Sequence, residues 1–388
     1  MKHLLLFLLV RVLRAFSRRA PRGLPPRPVI LLPGYAGLGN FLMMTPLFAA
    51  LKREFPGGRI LLVAGNPWGA EYVLAGTKFV DRTIVVSDAA STARQLRAFL
   101  RLRRERPDVV FLPGNASPPF VWLGALLTGA PIRVGHTFDA LGRDMRWTRR
   151  VLTHEAPLRL GVHESDLGLD LLDALLKRPA PRDPKTVIHQ APRDGTLAKF
   201  GLAERGYLVL QVSAANAQIT PKRWPLENFA RLAEALRAEG ERIVLLGDRH
   251  DRAITNQFLA ACPVEATDLT GRTTIPEAAA ILAGARALVC HDSGLMHIGD
   301  AVGVPLVALF GPTDLAVTGP RAATSRVLRN DALPCIGCMK DFGKTEAEAL
   351  RDCRRDLECM RTIPVEQVLA LLRKIRRGNR AAANAKAE

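Results

Sequence analysis

Val289-Cys-His-Asp-Ser-Gly-Leu-Met-His297, followed by Val307-Ala-Leu-Phe-Gly-Pro-Thr313, is the stretch that decides the fold. The apolar residues 285–290 have the length of a buried strand, and Asp292-Ser-Gly294 ends the run. A short helix over 295–302 then leads to a second apolar strand. Strand, polar loop, helix and strand in this order predict a parallel α/β sheet.

The polar loop at Asp292 is a candidate ligand site. Open α/β sheets bind ligands in the loops at the carboxyl ends of their strands. A helix start also offers an anion unpaired N–H groups and a partial positive charge. Ser293 is a good helix N-cap, so capping alone is the alternative explanation for that residue. The crowding of Asp292, Ser293, Gly294 and His297 into six positions favours a binding role.

The same alternation of strands and helices continues on both sides of this stretch and predicts two α/β domains. A chain of 388 residues is too long for one ordinary core. Residues 177–194, rich in Pro, Arg and Asp, separate the two halves. We therefore predict an N-terminal helix (1–22), two Rossmann-like domains (23–185 and 195–372) and a basic, flexible tail (373–388).

The formal net charge of +18 is concentrated at the N-terminus, where no acidic residue precedes Glu54. Such an excess predicts an anionic partner, which can be a membrane surface, a nucleic acid or a phosphorylated substrate. Aromatic residues make up only 6% of the chain, which leaves little stacking surface for single strands. No nucleic-acid motif accompanies the charge, so we expect no nucleic-acid partner.

Residues 1–22 predict an amphipathic helix that associates with a membrane surface. The apolar run 4–10 is too short to span a bilayer. Arg11, Arg14 and Arg18 follow it on one helical face, as in helices that lie on an anionic leaflet. A signal peptide is the alternative, although no small-residue cleavage site follows the apolar run.

A glycine-rich turn follows the first predicted strand, residues 29–32. Gly34, Gly37 and Gly39 precede a predicted helix over 40–55, as at the start of a doubly wound sheet. The spacing is not that of the dinucleotide fingerprint, and no acidic residue ends the next strand. Glycines let a ligand or a packed neighbour come close to the backbone.

Two loops of the second half carry further candidate ligand-binding residues. In the loop that begins at Ser213, Lys222 and Arg223 precede a helix, where cations can neutralise a diphosphate. Surface charge before a helix is the alternative. Asp248 and Asp251 follow the next strand, where an acid commonly holds ribose hydroxyls, and helix capping is the alternative for both.

Four of the six cysteines lie near the C-terminus, at Cys335, Cys338, Cys353 and Cys359. Their spacing is near that of a structural zinc site, but the second pair is too wide for a standard knuckle. Buried or paired thiols are the alternative. The sequence therefore allows a structural metal site without requiring one.

Five motifs occur in a fixed order along the chain. They are Gly37-Leu-Gly39-Asn40 with Thr45-Pro46, Lys222-Arg-Trp-Pro225, Asp268-Leu-Thr-Gly271, Asp292-Ser-Gly-Leu-Met-His297 and Leu309-Phe-Gly-Pro-Thr313. With them the chain resembles glycosyltransferase family 9, the lipopolysaccharide heptosyltransferase family, over about residues 29–371. The last three motifs form the most specific part of the resemblance.

The resemblance implies a GT-B fold, in which two Rossmann-like domains face each other across a cleft. It implies an inverting, metal-independent transfer of a sugar, with ADP-heptose as the expected donor and no cofactor. The acceptor would be the lipopolysaccharide core or a related lipid-linked glycan, bound on the side of 23–185, with the donor on 195–372. The enzyme would be peripheral at the cytoplasmic face of the bacterial inner membrane.

The resemblance also assigns roles to individual residues. Lys222 neutralises the donor phosphates, the amides of Ser293, Gly294 and Leu295 meet the diphosphate, and Asp292 and His297 lie near the donor sugar. The implied catalytic residues are Asn40, Asp292 and Lys222. Together with Ser213, Arg223 and Asp248 from the loops described above, the predicted donor-binding residues are Lys222, Asp292, Ser293, Gly294, Leu295 and His297, and the predicted acceptor-side residues are Gly37, Gly39 and Asn40.

One position departs from the family pattern. An aspartate, the presumed base, usually follows the glycine that corresponds to Gly39, and this chain has Asn40. An amide cannot accept a proton at neutral pH. Either another group takes the proton, or Asn40 only orients the acceptor, or activity is weak. The candidate replacement bases are Asp139, Asp144, His163 and Glu164.

Two other functions remain open at this point. A sugar-nucleotide epimerase shares the two-domain architecture, but it needs no membrane contact, so the N-terminal helix argues against it. A nucleotide-sugar-binding protein that has lost its base at Asn40 is the non-enzymatic alternative.

Overall fold

The computed structural model describes residues 10–13, 23–65, 70–114, 118–138, 146–214, 220–262, 264–339 and 345–384. The chain forms two compact units, Met1–His189 and Gln190–Glu388. Each unit is built on its own six-stranded parallel sheet.

The first unit has the strand order β3-β2-β1-β4-β5-β6. In its register, Ile30 of β1 lies beside Ile60 of β2 and Val109 of β4. The strands are β1 Val29–Pro33, β2 Arg59–Ala64, β3 Arg82–Val85, β4 Val109–Leu112, β5 Ile132–Thr137 and β6 His154–Pro157. This is the order of the dinucleotide-binding fold, in which the direction of winding reverses between β1 and β4.

The second unit repeats that order as β12-β11-β10-β7-β8-β9, so its winding reverses between β7 and β10. Val289 of β10 pairs with Leu210 of β7 on one side and with Val307 of β11 on the other. The strands are β7 Leu208–Leu210, β8 Ile243–Leu245, β9 Ala266–Asp268, β10 Ala287–His291, β11 Leu306–Leu309 and β12 Ser325–Leu328. The predicted α/β fold with two Rossmann-like domains is therefore confirmed.

Helices connect successive strands in both units. In the first unit they are Leu38–Glu54, Ala70–Val73, Thr92–Leu102, Pro119–Leu127, Arg146–Arg149 and Glu164–Leu176, with a 3-10 turn at Arg103–Glu105. In the second unit they are Arg193–Lys199, Leu226–Ala238, Arg252–Ala261, Ile275–Gly284, Gly294–Val302, Leu315–Thr318, Glu346–Arg351, Glu358–Arg361 and Val365–Asn384, with a 3-10 turn at Arg249–Asp251.

Burial follows from this layering. Every residue of the inner strands β4, β5, β7, β8, β10 and β11 is buried, whereas no residue of the edge strands β3, β9 and β12 is fully buried. A parallel sheet covered by helices on both faces needs such continuous apolar strands. The loops at the carboxyl ends of the inner strands are therefore held by a rigid core.

The structure describes only parts of two predicted terminal segments. Residues 373–384, predicted to be part of a flexible tail, are the second half of the helix Val365–Asn384, and Arg373 and Arg376 pair with Glu239. Residues 1–9 and 14–22 of the predicted N-terminal helix lie outside the described residues. In the helical segment 10–13 that the structure describes, Val10 is fully buried in the core of the first unit.

Within the described ranges, no helix is both long enough and apolar enough to cross a bilayer.

Candidate functional site

The polar loop after β10 lies at the point in the second sheet where the winding reverses. Asp292 and Ser293 follow β10, and Gln211 follows the neighbouring strand β7. Ligands of doubly wound sheets bind at such a point, because the loops on its two sides diverge from one another. The topology therefore places this loop where the sequence predicted a ligand.

Ser293 both caps a helix and contacts the neighbouring strand end. Its Oγ donates to Oε1 of Gln211 at 2.7 Å and accepts a long hydrogen bond from the Met296 N–H at 3.5 Å. Ser293 therefore does cap this helix, as the alternative explanation proposed. By helix geometry the N–H groups of Gly294 and Leu295 still have no acceptor inside the helix Gly294–Val302. This helix start remains able to bind an anion.

Lys222 lies between two carboxylates. Its Nζ is 3.6 Å from Oδ2 of Asp292 and 3.2 Å from Oε1 of Glu346. Burial alone would lower the pKa of Lys222, but the charges of Asp292 and Glu346 outweigh it, so the pKa of the lysine is raised. The ammonium group stays protonated at neutral pH, and it lies beside the helix start described above.

A buried histidine holds the segment that carries Lys222. His291 Nε2 accepts the Trp224 N–H at 3.0 Å, and its Nδ1 lies 3.0 Å from the Ser213 carbonyl oxygen. Since Nε2 accepts, Nδ1 carries the proton and donates to Ser213. Burial is the main reason why the pKa of His291 falls to about 3. The ring is therefore neutral and fixes both ends of the loop from Ser213 to Trp224.

Trp224 fastens the same loop to the core. Its side chain is fully buried, and its Nε1–H donates to the Ile363 carbonyl at 3.0 Å. The ring meets Phe229 edge to face at 4.9 Å between centroids. Lys222 is thus two residues from a rigid anchor, which limits where its ammonium group can move.

Asp248 and Asp251 form a capping box at the start of the 3-10 turn Arg249–Asp251. Asp248 Oδ1 accepts the His250 N–H at 2.6 Å, and Asp251 Oδ2 accepts the Asp248 N–H at 2.8 Å. Burial, followed by the charge of Asp248, raises the pKa of Asp251 to about 6, although the Ser213 side chain bonds to it. Capping occupies both acids, and only Asp248 is exposed.

The other predicted donor-side residues lie close by in sequence and space. His297 Nε2 is 3.8 Å from Oδ1 of Asp292, and both side chains are buried. Arg223 is half buried, and this burial lowers the pKa of its guanidinium. The structure brings Lys222, Asp292, Ser293 and His297 together around one loop.

The glycine-rich turn of the first unit contains glycines of two kinds. A Cβ on Gly34 would lie 2.5 Å from the Phe41 ring, so packing of the helix on the sheet requires a glycine there. A Cβ on Gly37 would meet only Asn40 Oδ1, at an ordinary 3.7 Å. Packing therefore does not explain Gly37, which stands at the start of the helix Leu38–Glu54 together with Gly39.

Asn40 bonds to one of the four candidate replacement bases. Its Nδ2 donates to Oε1 and Oε2 of Glu164 at 2.7 and 2.8 Å. Glu164 is only 1% exposed and is the first residue of the helix Glu164–Leu176. His163 caps that helix by accepting the Ser165 N–H on Nδ1. Asp139 and Asp144 lie outside the described residues.

All six cysteines lie within the described residues, and no disulfide joins any two of them. Burial, followed by the neighbouring thiols of Cys338, Cys353 and Cys335, raises the pKa of Cys359 to about 11. The four C-terminal cysteines are thus neighbours. As arranged in the described residues, no three His, Cys, Asp or Glu side chains form a group that could hold a metal ion.

Sequence reasoning missed three residues of these sites. Glu346 is 124 positions from Lys222 and begins a helix that had not been predicted. Gln211 and His291 lie at the ends of apolar runs, where they appear as strand residues. Their positions directly after β7 and at the end of β10 are the signal that could have identified them.

Comparison with known proteins agrees with this geometry. The sequence profile of glycosyltransferase family 9 (heptosyltransferase) matches residues 121–349, more than half of the chain. Lipopolysaccharide heptosyltransferase 2 of Salmonella typhimurium is 40% identical over 318 residues, which cover 77% of this chain and 87% of that protein. The Escherichia coli K12 enzyme of the same name is 28% identical over 316 residues, with the same coverage of both chains.

Solved structures show the same fold. E. coli ADP-heptose lps heptosyltransferase II superposes with a TM-score of 0.68 at 24% identity, covering 89% of this chain and 99% of that one. The iron-containing dodecameric glycosyltransferase TibC of enterotoxigenic E. coli gives 0.56 at 16% identity, covering 92% and 78%.

These matches decide between the functions left open by the sequence. The architecture is the GT-B fold of the heptosyltransferases. The epimerase alternative is not retained, because the matched profile and the relatives are glycosyltransferases. The chain is a glycosyltransferase and belongs to glycosyltransferase family 9, the heptosyltransferase family.

Proposed function

We propose that this protein transfers heptose from ADP-heptose to the lipopolysaccharide core or a closely related lipid-linked glycan. The named relatives are lipopolysaccharide heptosyltransferases, and one solved relative is described as an ADP-heptose enzyme. The second unit supplies the donor site, and the glycine-rich turn of the first unit supplies the acceptor side.

One observation carries the donor assignment. Lys222 approaches Asp292, the residue directly before the cap of the helix Gly294–Val302. A protonated lysine and a helix N-terminus at one place form a site for a diphosphate. In this proposal the amides of Ser293, Gly294 and Leu295 receive the phosphates, with Arg223 nearby. Asp248, the exposed acid of the capping box, is the better candidate for the ribose hydroxyls.

Two carboxylates beside one lysine oppose the approach of a diphosphate. Asp292 is 7% exposed and Glu346 is 31% exposed, so Glu346 is the carboxylate that can turn away to solvent. We infer that Lys222 exchanges its contact with Glu346 for one with phosphate when the donor binds. Asp292 stays in place beside His297 and faces the sugar.

The transfer proposed here inverts the anomeric centre without a catalytic metal. An acceptor hydroxyl attacks the anomeric carbon from the side opposite ADP, the new C–O bond forms, and the bond to the phosphate oxygen breaks. Lys222 and the helix start stabilise the charge that develops on the leaving diphosphate. Asp292 stabilises the positive charge that develops on the sugar. Asn40 orients the acceptor, and the attacking hydroxyl gives up its proton to a base of the first unit.

We propose that the enzyme is peripheral at the cytoplasmic face of the inner membrane, where residues 1–22 meet anionic lipid. Val10 belongs to the core of the first unit, so a deletion of this segment would disturb the fold. Arg14 and Arg18 are therefore substituted by glutamate instead. The variant should lose binding to phosphatidylglycerol vesicles in co-sedimentation and keep its melting temperature. Retained binding would assign the membrane contact to another surface.

A structural metal at the four neighbouring cysteines is a separate proposal. The four thiols are near enough to affect the pKa of Cys359, and the Leu357 N–H donates to Cys353 Sγ at 3.4 Å, as amides do around bound thiolates. Since no three such side chains form a metal-holding group as arranged in the described residues, binding would have to draw the thiols together. Elemental analysis should find one zinc or iron per chain in wild type and none in Cys335→Ser/Cys338→Ser. Iron is measured because TibC is described as iron-containing. Metal-free wild-type protein with normal stability would contradict the proposal.

The donor assignment is tested with a panel of sugar-nucleotides in thermal shift and calorimetry. At 100 times its Kd a ligand stabilises the folded state by about 2.7 kcal/mol. ADP-heptose should give the largest shift, with ADP next and UDP- or GDP-sugars weaker. A larger shift with a uridine or guanosine donor would contradict ADP-heptose as the substrate.

A further inference from the structure

The pair formed by Asn40 and Glu164 gives the acceptor side a negative charge that the turn itself lacks. In the glycine-rich turn 37–40 no residue can accept a proton, yet a carboxylate lies 2.7 Å from the Asn40 amide nitrogen. The two side chains come from the starts of two different helices, 124 residues apart in sequence.

The carboxylate of Glu164 also fixes the orientation of the Asn40 side-chain amide. A carboxylate only accepts hydrogen bonds, so the group directed at Glu164 must be the NH₂ of Asn40. Oδ1 is then left on the side of Gly37, which is partly exposed, as is Asn40 itself. Asn40 therefore offers an acceptor atom to an incoming hydroxyl while its other end holds the buried acid.

Burial of Glu164 is not explained by its place in the helix. An acid in the first turn is favoured by the helix dipole, but this interaction does not require full burial, as the partly exposed Asp166 in the same turn shows. Burying a carboxylate is costly unless it is hydrogen-bonded. The contact with Asn40 offsets part of that cost and aims the carboxylate at residue 40.

We propose that Glu164 is the general base of the transfer and that Asn40 holds it in place, which rests on the function proposed above. The attacking hydroxyl gives its proton to Glu164, directly or through one water, while Asn40 Oδ1 accepts a hydrogen bond from a neighbouring hydroxyl of the acceptor. The acceptor O–H bond breaks as the new glycosidic bond forms, and the electron pair of the old bond leaves with ADP. The chain thus keeps one carboxylate at this place but carries it on a different residue.

The test moves the carboxylate from position 164 to position 40. Glu164→Gln keeps the shape of the side chain and removes the base, so kcat for transfer should fall by about 10²–10⁴-fold. KM for ADP-heptose should be unchanged. Asn40→Asp/Glu164→Gln places the carboxylate at position 40 with an amide beside it, and should recover at least tenfold of the loss. A merely structural Glu164 predicts no recovery, because the double variant still lacks it.

Controls separate loss of folding from loss of the base. Asp166→Asn removes the neighbouring acid and should keep kcat within threefold. If Glu164→Gln does not fold, Asn40→Ala decides instead, since it keeps Glu164 and removes only the contact with Asn40. It should lose kcat by about tenfold, and a loss of 10³-fold or more, or none, would overturn the pairing.

The outcomes also separate this inference from the proposed function. Transfer by wild type together with normal transfer by Glu164→Gln overturns the inference alone. Failure of the double variant to recover any activity, while it still binds ADP-heptose normally, also overturns it. Absence of transfer by wild type overturns the proposed function itself.

Discussion

The two units share one strand order but place opposite charges where the winding of each sheet reverses. In the second unit a lysine is held by two carboxylates at 3.2 and 3.6 Å. In the first unit a carboxylate is held by a neutral amide at 2.7 Å. The first arrangement can receive an anion once Glu346 turns away to solvent, and the second suits the removal of a proton. The same strand order therefore supports two different chemical tasks, which depend on a few side chains at the ends of its strands.

Among the changes that test this comparison, removal of Lys222 should have the largest effect. Lys222→Ala leaves Asp292 and Glu346 facing the donor phosphates without their counter-charge. Truncating one member of a hydrogen-bonded charge pair typically costs about 2–5 kcal/mol, so the Kd for ADP-heptose should rise at least about 30-fold in calorimetry. Lys199→Ala, which removes a surface ion pair with Glu277 in the same unit, is the control. Unchanged affinity in Lys222→Ala would remove the lysine from the donor site.

Acidic pH should lower the stability of the first unit more than that of the second. Burial lowers the pKa of His136 to about 4 and that of His291 to about 3, below 6.5 in both cases. As the pH falls, each histidine therefore takes up a proton in the unfolded chain before it does so in the folded chain. Each histidine then lowers the stability by about 2–3 kcal/mol between pH 7 and pH 4.5. In the second unit Asp251, with its pKa raised to about 6, takes up a proton in the folded state and offsets much of this loss.

Hydrogen exchange with mass spectrometry at pH 7 and pH 4.5, corrected for the intrinsic exchange rate, resolves the two units in the intact chain. Core amides of the first unit should lose more protection than those of the second. Asp251→Asn, which removes the offset, should make the second unit as acid-sensitive as the first. Equal losses in wild type would mean that these buried groups do not dominate the response.

Restoring the family aspartate should not restore activity by itself. Asn40→Asp places two carboxylates in contact, and like charges at this distance cannot both ionise at neutral pH. The acid limb of the pH–rate profile should move to higher pH, and kcat at pH 7 should fall several-fold. A rise in kcat at pH 7 would show that Glu164 lies too deep to interact with position 40 during turnover.

Neutralising Glu346, the carboxylate that competes with the donor for Lys222, should have the smallest effect. Glu346→Gln leaves Lys222 paired with Asp292 alone, so the donor no longer has to displace a charge. The Kd for ADP-heptose should fall a few-fold, and the salt dependence of binding should weaken. Weaker binding would instead mean that Glu346 contacts the donor directly, and the exchange proposed for Lys222 would be wrong.

Local patterns were enough to predict the fold and half of the site. Apolar runs such as 59–64 coincide with the strand Arg59–Ala64, and the loop at Asp292 lies where the pattern placed it. The partners that act across the fold were not visible. Glu346 and Glu164 each lie 124 residues from the side chain that they contact, and only the packed structure brings them together.

Helix capping was the hardest ambiguity to resolve from sequence. Ser293, Asp248 and Asp251 each had capping as an alternative to ligand binding, and all three do cap. Capping and binding use different atoms of one loop, so the sequence cannot separate them. The contacts of the basic tail were not visible from sequence either, because Glu239 and Glu241 pair with Arg376 across the fold.

Lys222 and Glu164 are both proposed to serve one transfer of heptose. Wild-type protein incubated with ADP-heptose and a truncated lipopolysaccharide core tests it most directly, with mass spectrometry of the acceptor and quantification of ADP. One heptose should be added per ADP released, and this product should fall at least tenfold in both Lys222→Ala and Glu164→Gln. ADP release without a heptosylated acceptor, or neither product, would contradict it.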